Sequence, residues 1–81
     1  MSPSLAALRR AVALGAEVIF FVTDADEMTA DQVRNVTLLN HSRAVIHTVE
    51  LNNEREGSGE TPLKLLARLN GGTYRVVPVR R

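Results

Sequence analysis

Apolar positions along this chain follow two alternating rhythms. Between Pro3 and Leu14 they recur as Leu5, Leu8 and Val12, the three-and-four spacing of a helix with one buried stripe, with Arg9 and Arg10 turned to water. Ser2 and Pro3 read as an N-cap and first helical position, and Gly15 as the stop. From Val18 to Thr23 the rhythm vanishes into a continuous run, "VIFFV", as in a parallel strand covered on both faces. Helical spacing returns from residue 30 to Asn40 with Val33, Val36 and Leu39 inward. Thr29 and Gln32 are spaced as a capping box, and Met28 is placed to staple onto Val33 across it.

His41 and Ser42 turn the chain into a second strand, Ala44 to Leu51, rich in β-branched residues. The polar, glycine-bearing stretch "NNEREGSGE" reads as a loop. Thr61 and Pro62 open a third helix with Leu63 and Leu66 inward, joined by Leu65 and Leu69, and Asn70-Gly71-Gly72 closes it. A last strand, Thr73 to Val77, ends before Pro78, which has no N–H for a sheet ladder.

Strands alternating with helices of this length predict a single α/β domain over residues 1–81. Its three-stranded parallel sheet is expected in sequential order, with right-handed crossovers. Because both crossovers step the same way, their helices share one face. The opposite face is left uncovered unless the first helix or a partner reaches it, an incomplete α/β layer.

Composition adds limits to this picture. The chain has 81 residues, 44% of them apolar and 23% charged, an ordinary globular balance for one small domain. A net charge of +1 gives no field to draw nucleic acid or anionic lipid. Cysteine is absent, which removes disulfides and thiolate metal sites. With no membrane-length apolar run and no signal-like N-terminus, the chain as it stands reads as cytosolic.

The candidate chemistry lies where "VIFFV" runs into "TDADE". In an open parallel sheet, ligands bind beyond the carboxyl ends of the strands. Asp24, Asp26 and Glu27 leave the first strand at that edge, and Asn52 and Asn53 leave the second. Oxygen ligands of this kind suit Mg²⁺ or Ca²⁺, while the plainer reading is an acidic loop favoured by the next helix dipole. His41 and His47 have no Ser or Cys at a recognisable spacing, so no nucleophilic triad is legible. "GSGET" lacks the Gly-Lys-Ser/Thr of a phosphate loop. Arg75, Arg80 and Arg81 have only Tyr74 among them for stacking, too little for a nucleic-acid platform. A strand ending in acid before Met28 also resembles a receiver-domain phosphoacceptor loop. However, the one lysine, Lys64, falls inside a helix rather than at a strand end.

Taken together, "LGAEVIFFVTDADEMTADQVRNVTLLN", "AVIHTVEL" and "TPLKLLARLNGGTYRVVPV" resemble the C-terminal half of a von Willebrand factor type A domain, most nearly forms from uncharacterised bacterial, planctomycete-like proteins. The resemblance covers roughly residues 5–79 and is most specific at "TDAD" and "LARLNGGTYRVV". It implies half of a doubly wound, Rossmann-like sheet and a metal-ion-dependent adhesion site of which Asp24 matches the third-loop Asp. The Asp-x-Ser-x-Ser motif that such a site also needs does not occur in the chain. At most weak Mg²⁺ or Ca²⁺ binding at Asp24, Asp26 and Glu27 is then expected, and no resident cofactor. The implied function is a non-enzymatic protein-interaction module. "VIFFV", central in a complete domain, would here be an exposed edge, so the chain is expected to self-associate as a twofold dimer burying Ile19, Phe20, Phe21 and Val22.

Overall fold

The computed structural model describes residues 4–24, 28–51 and 59–78. Its elements run α1 (Ser4–Ala13), β1 (Val18–Asp24), α2 (Ala30–Leu39), β2 (Val45–Leu51), α3 (Pro62–Leu69) and β3 (Tyr74–Val77). Each lies within a residue or so of its expected bounds. Ser2 and Pro3, the expected first cap, lie outside the described residues.

Local chemistry accounts for the helix ends. Thr29 Oγ1 accepts from the Gln32 N–H at 3.2 Å while the Thr29 N–H donates to Gln32 Oε1 at 2.9 Å, so the capping box of α2 is complete. Thr61 caps α3 with its side chain alone, accepting from the Lys64 N–H at 3.3 Å ahead of Pro62. At its other end α3 closes in a Schellman turn: Gly71 takes a φ of +71° and the Gly72 N–H donates to the Ala67 carbonyl at 2.8 Å.

The three strands pair in the order β1-β2-β3, both pairs parallel. Ile19, Phe21 and Thr23 lie beside Ile46, Thr48 and Glu50 on one face, with Tyr74 next to Thr48. All three helices pack against this face. Leu8 and Val12 of α1, Val33 and Val36 of α2, and Leu63 and Leu66 of α3 form one cluster with Ile19, Phe21 and Ile46. Thr48, fully buried, ties β2 to α3 by donating its hydroxyl to the Leu63 carbonyl at 2.9 Å.

The first helix therefore joins the other two and leaves the second face open. Val18, Phe20 and Val22 are 53%, 69% and 48% exposed, although the unbroken apolar run predicts a strand covered on both sides. Two inward positions also differ from expectation. Leu39 and Leu69 are largely exposed, and Ala67 is buried instead. The reason is angular. Leu39 and Leu69 each stand about 120° round the helix from Val33 or Leu63 and about 60° beyond Val36 or Leu66, at the margin of the stripe, at about 100° per residue. The place at seven residues, in line with the stripe, is taken by Asn40 and Asn70, both buried.

Candidate interaction face

The open face is built by strand alternation, which sends every second side chain away from the helices. Register places Val18, Phe20 and Val22 of β1 beside Val45, His47 and Val49 of β2, with Arg75 and Val77 following on β3. The result is an apolar surface whose central polar group is an imidazole. The Phe20 and His47 rings stack with centroids 4.9 Å apart and planes 26° from parallel. The Thr73 N–H donates to His47 Nδ1 at 3.0 Å, with Thr73 Oγ1 also 3.0 Å from that nitrogen. Nδ1 is thus the acceptor of the Thr73 N–H.

This geometry divides the predicted self-association set. Phe20 and Val22 are available to a partner on the open face. Ile19 and Phe21 are 8% and 6% exposed and belong to the core. Neighbouring strand residues point to opposite faces, so the four are shared between the open face and the helix side. All four, Ile19, Phe20, Phe21 and Val22, line with Ala7, Leu8 and Ala11 a shallow apolar groove of about 360 Å³ along the outer edge of β1.

At the carboxyl edge of the sheet, Asp24 pairs with Leu51 across β1 and β2, so the segments holding Asp26 and Glu27 and holding Asn52 and Asn53 start from adjacent strands. Those four residues lie outside the described residues, and of the predicted cation ligands only Asp24 is placed, at the end of β1. Among the described residues no three His, Asp or Glu side chains come together as a metal would require. The nearby carboxylates have other partners. Buried Glu50 accepts from the Tyr74 hydroxyl at 2.5 Å. Glu60 receives two bonds from the Arg68 guanidinium, at 2.9 and 3.1 Å. That pairing holds the Glu60 carboxyl below the usual glutamate range and raises the Arg68 guanidinium. Both groups are exposed, so solvent screens the pair and it adds little to stability.

The amino edge holds a polar network that periodicity did not reveal. Asn40 Nδ2 donates to the Ala44 carbonyl and to Asn70 Oδ1, each at 2.9 Å, while Asn40 Oδ1 accepts from the Ala44 N–H at 2.8 Å. Asn70 Nδ2 donates to Thr37 Oγ1 at 3.0 Å and to the Leu66 carbonyl at 2.9 Å. The two amides thus join the ends of α2 and α3 to the start of β2. A shallow cavity of about 440 Å³ opens beside them, but their polar atoms are turned to one another and to the backbone. The one legible trace of this pairing is that both helices end in Leu-Asn, at Leu39-Asn40 and Leu69-Asn70.

Comparison of the chain with protein-family models, with curated proteins and with solved structures finds no match in any of the three. Among the described residues no helix is long and apolar enough to cross a membrane.

Proposed function

We propose that this chain is a non-enzymatic protein-interaction module, akin to the C-terminal half of a von Willebrand A domain, that associates with a second copy of itself through the open sheet face. The observation that carries this reading is the row Val18, Phe20 and Val22 on β1, with Val77 on β3 across β2, all between 40% and 69% exposed on one face of a parallel sheet. Three strands about 4.8 Å apart and seven residues of about 3.3 Å each give a footprint of roughly 300 Å². A patch of about that size lies at the lower end of the largest apolar patch an ordinary monomer carries, which is often functional.

A second copy fits the chemistry of this face. The centre, along β1 and β2, is apolar, and Arg75 stands on β3 at the rim. A twofold axis near β1 and β2 stacks apolar centre on apolar centre and keeps the two Arg75 side chains at opposite borders. The footprint is below the ~800 Å² per partner of a standard interface, so the dimer is expected to be reversible and concentration-dependent. Sedimentation equilibrium on the wild-type chain and on Phe20→Lys tests this. The wild type should shift from monomer to dimer across the micromolar range. Phe20→Lys should stay monomeric with unchanged circular dichroism, because Phe20 is 69% exposed. A wild type that is monomeric at millimolar concentration contradicts the proposal.

One observation favours a cation-dependent reading beside it. The register Asp24 with Leu51 starts the segments bearing Asp26, Glu27, Asn52 and Asn53 at neighbouring points of one edge. Under this reading, ¹⁵N–¹H spectra recorded with millimolar Mg²⁺ or Ca²⁺ should shift only over residues 23–28 and 52–53, and Asp24→Ala should abolish the shifts. Unchanged spectra remove it.

A further inference from the structure

We infer that β1 pairs edge to edge with the β1 of a second copy, antiparallel and about a twofold axis beside Phe20. The phase of the backbone decides which groups can take part. The Glu17 carbonyl accepts from the Val45 N–H at 2.9 Å, so it points into the sheet. Successive strand residues turn their N–H and C=O to opposite sides, so Ile19, Phe21 and Thr23 also face β2. Val18, Phe20 and Val22 therefore aim both groups outward, along the edge where the strand order begins. Among the described residues no backbone group bonds to them there.

The sequence guards one edge of the sheet and not the other. β3 is four residues long, carries Arg75 and runs into Pro78, all features that discourage a further strand. β1 is seven residues long, has no charge or proline from Val18 to Thr23, and keeps its register with β2 without a bulge. A long unguarded edge of this kind is a template for another strand. The neighbouring helix leaves space for one. Where α1 flanks the edge it presents Ala7 and Ala11, one turn apart, with Ala7 exposed.

The strand that fits must be apolar on both sides. One row of its side chains extends the open face beside Val18, Phe20 and Val22, and the other lies along the groove by Ala7 and Ala11. Among the described strands β1 itself has this pattern, whereas β2 carries His47, Thr48 and Glu50 and β3 carries Arg75. Its symmetry matches as well. With the twofold at Phe20, that residue pairs with its own copy and Val18 with Val22 of the second copy. These are the closely bonded pairs of an antiparallel ladder, so every outward N–H and C=O meets a counterpart. The run "VIFFV" then lies in the middle of one continuous sheet. This contact uses backbone atoms at the edge, whereas the stacking of open faces uses side chains. It does not rest on that stacking, and the two fail separately.

Amide exchange followed by NMR at millimolar and at tens of micromolar concentration, with sedimentation equilibrium on the same samples, tests the pairing. The Val18, Phe20 and Val22 amides should exchange about tenfold or more slowly at the higher concentration. Those of Ile19 and Phe21, which face β2, should be equally protected at both. Val22→Pro deletes an outward N–H without removing a β1–β2 bond, and should abolish the concentration dependence at Val18 and Phe20. Ala7→Lys leaves every strand residue in place and sets like charges near the axis, so it should do the same with unchanged circular dichroism. Edge amides that exchange equally fast at both concentrations, in a sample shown to be dimeric, overturn the edge pairing and leave the stacking of faces standing. Edge amides equally protected at both mean that the chain covers its own edge, and overturn it too. So does a concentration dependence that survives both substitutions. A chain monomeric at millimolar concentration overturns both contacts together.

Discussion

Gly72→Ala should be the most damaging alanine substitution among the described glycines. A Cβ at residue 72 would stand 1.9 Å from the Ile46 carbonyl oxygen and 2.4 Å from its carbon, with the His47 nitrogen at 2.9 Å. These are backbone atoms of the central strand, so no rotamer change relieves the overlap. The turn entering β3 must move away from β2, straining the Gly72–Ala67 and Ile46–Asn70 hydrogen bonds on either side. A cost of about 3 kcal/mol or more is expected, at the upper end for overpacking. A domain of this length has roughly 4–12 kcal/mol in total. At about 4–8 °C per kcal/mol, Tm should fall by roughly 12 °C or more. Gly71→Ala is the contrasting control. Nothing lies within 4 Å of a Cβ there, but the φ of +71° is unfavourable for a side chain. It should cost only about 1–2 kcal/mol, the usual left-handed penalty. Thermal melts of the two variants separate close approach from backbone conformation, and equal losses would remove the steric argument.

Asn40→Leu and Asn70→Leu should come next, and their effects should not add. Replacing Asn40 strips partners from the Ala44 N–H, the Ala44 carbonyl and Asn70 Oδ1 at once. Replacing Asn70 strips them from Asn40 Nδ2, Thr37 Oγ1 and the Leu66 carbonyl. With about 1–3 kcal/mol for each buried group left unpaired, partly relieved by water entering the adjoining cavity, each variant should lose about 2–4 kcal/mol. Because one bond joins the two amides, the double variant should lose about 1–2 kcal/mol less than the sum. Urea unfolding of the four-member cycle measures this, and strict additivity would mean that the Asn40–Asn70 bond is not stabilising.

The alternation of rhythms was enough to place six elements and to order the sheet, because helix stripes, Thr caps and glycine stops are local signals. The capping box at Thr29 and Gln32 and the turn at Gly71 are cases where four residues suffice. The open face was legible as a topological consequence, since sequential parallel strands put their crossover helices on one side. Which side α1 would take was not legible. Leu5, Leu8 and Val12 give α1 an apolar stripe without saying what it meets, and "VIFFV" has apolar residues for both faces.

The amide pair escaped because it joins residues thirty apart, and asparagine at a helix end is ordinarily a cap. His47 escaped similarly: its partners are Phe20 on β1 and Thr73 just ahead of β3, so only the pairing of the strands brings them together. The acids of "TDADE" remain readable as chemistry in sequence alone, with Asp24 placed at the end of β1 and Asp26 and Glu27 beyond the described residues.

The central claim is that two copies meet on the face carrying Phe20. Isotope-filtered NMR on an equal mixture of ¹³C-labelled and unlabelled chain, at a concentration well above the dimer dissociation constant, tests it most directly. The account predicts intermolecular cross-peaks from the Phe20 ring to the Val22 and Val49 methyls, and none to Leu66 or Val36 on the helix side. Cross-peaks confined to the helices, or none from a sample shown by sedimentation to be dimeric, would contradict it.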